Sequence, residues 1–261
     1  MTGTGGLLGV FAHPDDEAYS LAGCMARHTD EGIPAAILCF TRGEVGLIAE
    51  GSGATRETLG EVREAELRAA CAHFGVHDVR IVGTPDGGTE ANDEGVEAIA
   101  VVMRELAPRV VVTMEPQGVT RHPDHIAVSE MTSAAFSRVR DENGGTFPQR
   151  LYYSAIPKTA LEAFTDEVAK RGLPGLTAPD DPLAPQAAPD ESIAAVVDVT
   201  LYFERKLAAL RAHLTQTFEM VAWMPEDLMR LFLSTEAFQR PFPPFTPGDK
   251  PESDLFGAFR S

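Results

Sequence analysis

Apolar positions along the chain fall into short runs separated by longer segments of helical spacing. Leu7 to Ala12 (LLGVFA) reads as a buried strand, followed by a helix from about Glu17 to Thr29 that ends near Gly32-Ile33-Pro34. Ala35 to Phe40 (AAILCF) reads as a second strand. From Thr58 to Phe74, Leu59, Val62, Leu67 and Ala70 recur at helical spacing, and Gly75 suits the position just past a helix end. Val79 to Val82 reads as a strand, Gly95 to Leu106 as a helix, Arg109 to Thr113 as a strand and His125 to Arg138 as a helix. Alternation of this kind, over residues 5–155, predicts an α/β fold with a mostly parallel sheet and helices on both faces.

The pattern then changes. Residues 173–190 (LPGLTAPDDPLAPQAAPD) are rich in Pro, Ala and Asp and lack apolar periodicity, which predicts an exposed, mobile segment acting as a linker or a lid. Ile193 to Val199 reads as a strand and Leu201 to Leu214 as a helix, giving a smaller C-terminal extension over residues 191–261. The Pro- and Phe-rich tail from Arg240 to Pro247 is expected to wrap the surface, and residues 1–261 read as one domain.

In open sheets of this class, ligands bind beyond the carboxyl ends of the strands. His13-Pro14-Asp15-Asp16-Glu17 follows the first strand directly, and His122-Pro123-Asp124-His125 follows the fourth after a short loop. Catalytic zinc takes three His or carboxylate ligands and keeps a position open. An H-x-x-D spacing at a strand-to-helix turn aims both side chains at one point, and a later His completes the set: His13, Asp16 and His125. Two imidazoles and one carboxylate also suit Fe²⁺. Asp15 is placed to take a proton from the attacking water. His122, its charged form favoured by Asp124, is placed to stabilise an oxyanion and protonate a leaving amine. Either motif alone reads equally well as a helix start; two at one sheet edge point to a metal.

Composition narrows the partners. Thirty-nine acidic against 22 basic residues give a formal charge of −17, which repels nucleic acid and anionic membranes. No run of about 18 apolar residues predicts a membrane span, and the N-terminal residues do not read as a signal peptide. Cys24, Cys39 and Cys71 form no CxxC, so they read as reduced, buried thiols of a cytoplasmic protein. HPDD occupies the turn where a dinucleotide-binding protein carries GxGxxG. The sequence does not set an oligomeric state.

These motifs resemble the LmbE-like (PIG-L) family of zinc-dependent N-acetylglucosaminyl deacetylases. Matching segments are Ala12 to Glu17 (AHPDDE), Thr41 to Glu44 (TRGE), Arg63 to Glu66 (REAE), Gly83 to Gly87 (GTPDG), His122 to His125 (HPDH) and His213 to Gln216 (HLTQ). The resemblance implies a Rossmann-like fold and a small-molecule glycoside substrate that loses an N-acetyl group. It implies Zn²⁺ on His13, Asp16 and His125, Asp15 as general base, and His122 as acid and electrostatic group steered by Asp124. It also implies that Arg63 and Asp86 lie near the sugar. By pattern alone, Arg63 with Glu66 reads equally as a surface pair, Asp86 as a turn residue and Glu17 as a first-turn carboxylate. His213 with Gln216 reads as packed or solvated, and His28, His73 and His77 as surface or packing residues.

Two other readings share the zinc motif: an amidase or esterase acting on a non-sugar substrate, and a metal-binding module without catalysis. A purely structural zinc usually takes four protein ligands, which speaks against the second. The loop Gly118-Val119-Thr120-Arg121 differs from the Gly- and Tyr-rich loop of the subgroup acting on the inositol-linked glucosamine of mycothiol metabolism, pointing away from that substrate.

Overall fold

The computed structural model describes residues 5–173, 175, 184–216 and 223–260. In chain order the elements are β1 (Leu7–Phe11), α1 (Asp16–Ser20), α2 (Ala22–Asp30), β2 (Ala35–Cys39), α3 (Leu59–His73), β3 (Asp78–Ile81), α4 (Asp93–Leu106) and β4 (Val110–Met114). They continue with a short turn α5 (Gly118–Arg121), α6 (Pro123–Glu142), β5 (Arg150–Ser154), β6 (Ile156–Pro157), α7 (Lys158–Lys170) and β7 (Ala187–Ala188). β8 (Ala195–Asp198), α8 (Phe203–Ala212), α9 (Glu226–Leu233) and β9 (Thr235–Phe242) complete the described set. A seven-stranded sheet has the order β3-β2-β1-β4-β5-β9-β8. β1 to β5 pair in parallel and β9 is antiparallel to both its neighbours.

The sheet divides two cores by strict alternation. Leu7, Phe11, Ile37, Cys39, Val110 and Val112 face the layer of α2, α3 and α8. Leu8, Val10, Ala36, Leu38 and Val111 face that of α4 and α6. Burial on both sides is why β1 and β4 read as uninterrupted apolar runs. Where α2 crosses this layer it needs Gly23, because a Cβ there would lie 2.5 Å from Cβ of Val199. Gly23→Ala is expected to cost about 1–3 kcal/mol through overpacking, read as a lower denaturant midpoint at unchanged m. An unchanged midpoint would show that Val199 yields freely.

Several sequence expectations need correction. The helix expected over 17–29 is two helices, broken at Leu21 (φ −148°). At the new start the Glu236 carboxylate, from far along the chain, accepts hydrogen bonds from Gly23 N and Cys24 N at 2.8 Å each and so satisfies the first amides of α2. Residues 240–242, expected in a surface tail, end β9, where Phe242 pairs with Leu151 of β5 beyond a register shift. Within the proposed mobile stretch, residues 174 and 176–183 lie outside the described residues. Its end is anchored: β7 pairs in parallel with β6, and Gln186 N donates to Val119 O at 2.6 Å. Among the described residues, no helix is long and apolar enough to cross a membrane.

Candidate active site

The site lies where β1 and β4 are adjacent and their following loops diverge, β1 towards α1 and β4 towards α6. Beyond Phe11, the chain turns sharply through Asp15, whose φ of 114° is rare for a non-glycine residue. The Asp15 amide donates to Glu17 Oε2 at 2.9 Å, and Asp15 O accepts from Ala18 N at 2.9 Å to open α1. Asp16 is fixed by the His13 amide, which donates to its Oδ2 at 2.9 Å. On the other side, the loop after β4 has positive φ at Gly118 (75°), Val119 (59°) and Arg121 (59°) before Pro123 starts α6. This loop aims the Gly118 carbonyl at His125 Nδ1, 2.9 Å away.

The hydrogen bonds dictate the tautomers of two imidazoles. His125 Nδ1 faces a carbonyl, so it carries the proton and leaves a lone pair on Nε2. His13 Nε2 faces Asp124 Oδ2 and Asp86 Oδ1, both at 3.1 Å, so it is protonated and Nδ1 points the other way. Those two free nitrogens face each other at 3.0 Å. Asp16 closes the group, with Oδ1 3.4 Å from His125 Nε2 and Oδ2 3.8 Å from His13 Nδ1. Ligands bonded at about 2.0–2.1 Å in a tetrahedron lie about 3.3 Å apart, so the 3.0 Å between the two imidazole nitrogens suits a small divalent cation, with Asp16 beside them reaching the two rings through different oxygens. Three electron-rich donors converging on one point also require a positive charge between them. Burial works against the charge of His13, but the hydrogen bonds and charges of Asp124, Asp86 and Asp16 outweigh it and raise its pKa to about 10. His122 brings a third imidazole, its nitrogen within 4.8 Å of those of His13 and His125.

Asp124 is fully buried, yet it is not directed at His122. Its Oδ1 accepts from Thr89 N at 3.0 Å, and its Oδ2 accepts from Gly87 N at 2.8 Å beside His13 Nε2. It therefore orients His13, in the manner of a carboxylate behind a metal-binding histidine. His122 Nδ1 instead accepts from the Asp124 backbone amide at 3.2 Å. Burial, together with the charges of His13 and His125, lowers the His122 pKa. The Asp124 carboxylate expected to steer His122 is thus on His13 instead, and with Nδ1 accepting an amide, Nε2 is the His122 nitrogen that carries a proton.

Asp15 is held by Arg63, whose Nη2 donates to its Oδ2 at 2.9 Å and to Pro14 O at 2.5 Å, while Nη1 donates to Gly43 O at 3.0 Å. Burial raises the Asp15 pKa, and the Arg63 guanidinium only partly offsets it. Arg63 and Glu66 are both buried, so neither belongs to a surface pair. Asp86 is more than a turn residue: its Oδ2 accepts from Val45 N at 2.9 Å, and burial, which opposes its charge, loses to His13 and this amide, leaving its pKa at about 2. Glu44 Oε1 accepts the Asp86 amide at 3.0 Å, which gives the TRGE segment its place. His213 and Glu17, read from sequence as bystanders, are both buried and paired at 2.9 Å directly behind Asp15. The presence of the HLTQ segment among the matching motifs was the one available signal for this.

The GlcNAc-PI de-N-acetylase (PIG-L) family model matches residues 8–136. The 1D-myo-inositol 2-acetamido-2-deoxy-alpha-D-glucopyranoside deacetylase of Geodermatophilus obscurus is 37% identical over 247 residues, covering 83% of this chain and 84% of that protein. Its name runs against the expectation drawn from the 118–121 loop. The N,N'-diacetylchitobiose deacetylase of Pyrococcus horikoshii aligns with a TM-score of 0.64 at 18% identity, covering 97% of this chain and 88% of that one. The 4-carboxy-2-hydroxymuconate hydratase GalB of Pseudomonas putida KT2440 also aligns with a TM-score of 0.64 at 18% identity, covering 95% of this chain and 100% of that one. A deacetylase and a hydratase on one fold show that the fold does not decide the reaction. With its identity to the Geodermatophilus enzyme spread over most of both chains, this protein belongs to the GlcNAc-PI de-N-acetylase (PIG-L) family.

Proposed function

We propose that the protein is a zinc-dependent hydrolase that removes an N-acetyl group from an N-acetylglucosamine-containing small molecule. The convergence of His13, Asp16 and His125 beside a restrained Asp15 carries this reading. Bound by those three residues, Zn²⁺ supplies a Lewis acid for the amide carbonyl and lowers the pKa of the attacking water. Asp15 accepts the proton of that water; burial has already brought its pKa up towards the working range of a general base. His122 donates from Nε2 to the developing oxyanion, a role that a neutral imidazole can fill. The proton taken by Asp15 returns to the departing amine, so acetate and a free glucosaminyl amine are released. Asp124 keeps His13 in its tautomer. Arg63, only 4% exposed, is committed to Asp15 and two carbonyls, so we assign it to holding the base; the Asp86 carboxylate, engaged by His13 Nε2 and the Val45 amide, we likewise assign to supporting His13 and not to the sugar. Three buried free thiols fit a reducing, cytoplasmic compartment.

The identity of 37% to the inositol glycoside deacetylase makes that glycoside the first substrate to test. Acetate release is expected from N-acetylglucosaminyl glycosides and not from acetylated peptides or simple esters, with stoichiometric zinc in protein purified without added metal. Turnover of peptides or esters alone would transfer the reading to a general zinc amidase or esterase. A metal other than zinc would overturn the cofactor assignment while leaving the reaction open to the same assay.

A further inference from the structure

We infer that the His213–Gln216 segment is a positioning brace for the catalytic base, acting through two buried carboxylates. The inference rests on the reading of Asp15 as that base. Asp15 has two restraints of its own: its amide is held by Glu17, and its carboxylate is held by Arg63. The brace meets the supports of both. His213 Nε2 lies 2.9 Å from Glu17 Oε1, while Glu17 Oε2 takes the Asp15 amide. Two residues on, Thr215 donates to Glu66 through its amide at 2.8 Å and its hydroxyl at 2.6 Å. Glu66 stands one turn after Arg63 on α3, so this contact fixes the helix that carries the guanidinium. The segment also grips the loop over Arg63: Thr215 O accepts from Ala49 N at 2.9 Å, and Gln216 Nε2 donates to Leu47 O at 3.0 Å.

Glu17, Glu66, His213 and Thr215 are all at most 7% exposed. Buried carboxylates are costly unless satisfied, and here each is satisfied by the same four-residue stretch, almost 150 or more residues away in sequence. The strained backbone at Asp15 explains what the brace resists. A φ of 114° persists only where the surroundings over-determine it. Removing the donor on Glu17 Oε1 frees that carboxylate to swing, releases the Asp15 amide and moves the base away from its working position. Misplacement of a catalytic group by about 1 Å costs about 10²-fold in rate.

The test compares His213→Leu, which removes the donor, with His213→Gln, which restores an N–H at similar reach. H213L is expected to lose about 10²-fold in kcat with KM within about threefold of the parent, full zinc content and an unshifted metal affinity by chelator competition; H213Q is expected to regain most of the loss. In an Asp15→Asn background the H213L effect should shrink to less than about threefold, since the brace then has no base to position. A folded, zinc-replete H213L with parental kcat would overturn the brace, as would an equal fold-loss in the Asp15→Asn background or a loss of zinc. If H213L fails to fold, Thr215→Ala carries the same comparison through the Glu66 branch, with a kcat loss expected to vanish in the Asp15→Asn background. Turnover retained by Asp15→Asn alone would instead sink the base assignment on which the brace rests.

Discussion

Asp15→Asn lowers kcat by about 10³-fold while zinc content and KM stay near those of the parent: this is the largest catalytic effect expected of any single change here. General bases contribute about 10²–10⁴-fold, and the substitution removes the proton acceptor without changing shape. Asn is suited to the position for a second reason. At φ 114° most side chains add strain, whereas Asn tolerates positive φ better than other non-glycine residues. It also keeps an oxygen for the Arg63 guanidinium, now 2.9 Å from Asp15 Oδ2. The loss is therefore chemical and not structural, and an Asp15→Ala variant, which also releases Arg63, should be no more active. Single-turnover acetate release together with metal analysis makes the measurement. A metal-replete Asp15→Asn variant within tenfold of the parent would remove Asp15 from the mechanism.

β1, β2 and β4 are legible in the sequence because each is buried on both faces and so reads as a plain apolar run. HPDD and HPDH each follow the carboxyl end of one of these strands, and the sheet order β3-β2-β1-β4 makes those two ends neighbours. β9 is not legible. Its sequence TEAFQRPF mixes charged, aromatic and proline residues, and only its first half is buried. The same holds for the roles of Asp124 and His122. The motif shows that a carboxylate and an imidazole are near the metal; which ring the carboxylate touches depends on the turn at Gly87 and Thr89, whose amides pull Asp124 away from its sequence neighbour. His213 and Glu17 illustrate the general limit. Each alone has an ordinary local explanation, and only the packing of α8 against α1 brings them together, 196 residues apart.

A comparable long-range pair governs stability. Lys206→Met is expected to destabilise the fold by about 3–5 kcal/mol, the largest effect expected away from the site. Lys206 is 1% exposed, and its Nζ donates to Glu236 Oε1 at 2.7 Å and to Tyr19 O at 2.8 Å. Glu236 is 3% exposed and also receives the Gly23 and Cys24 amides. Burial raises the cost of its charge, but Lys206 and the Cys24 contact overcome that and hold its pKa below the usual value. Removing the ammonium leaves the carboxylate buried with only the α2 amides to compensate it. A neutral partner changes the outcome: in Lys206→Met/Glu236→Gln the amide oxygen can still accept from the start of α2, and no charge is left without a partner. The double variant should therefore be more stable than Lys206→Met alone, a coupling that simple cavity formation would not produce. Denaturant midpoints at neutral pH give both numbers. A cost below about 1 kcal/mol for Lys206→Met, or a double variant whose cost equals the sum of the two single ones, would mean that water reaches the carboxylate and the pair does little. If the expected coupling is found, the first amides of α2 are held from β9, and the helix that carries Asp16 and Glu17 is set in place from the far end of the chain.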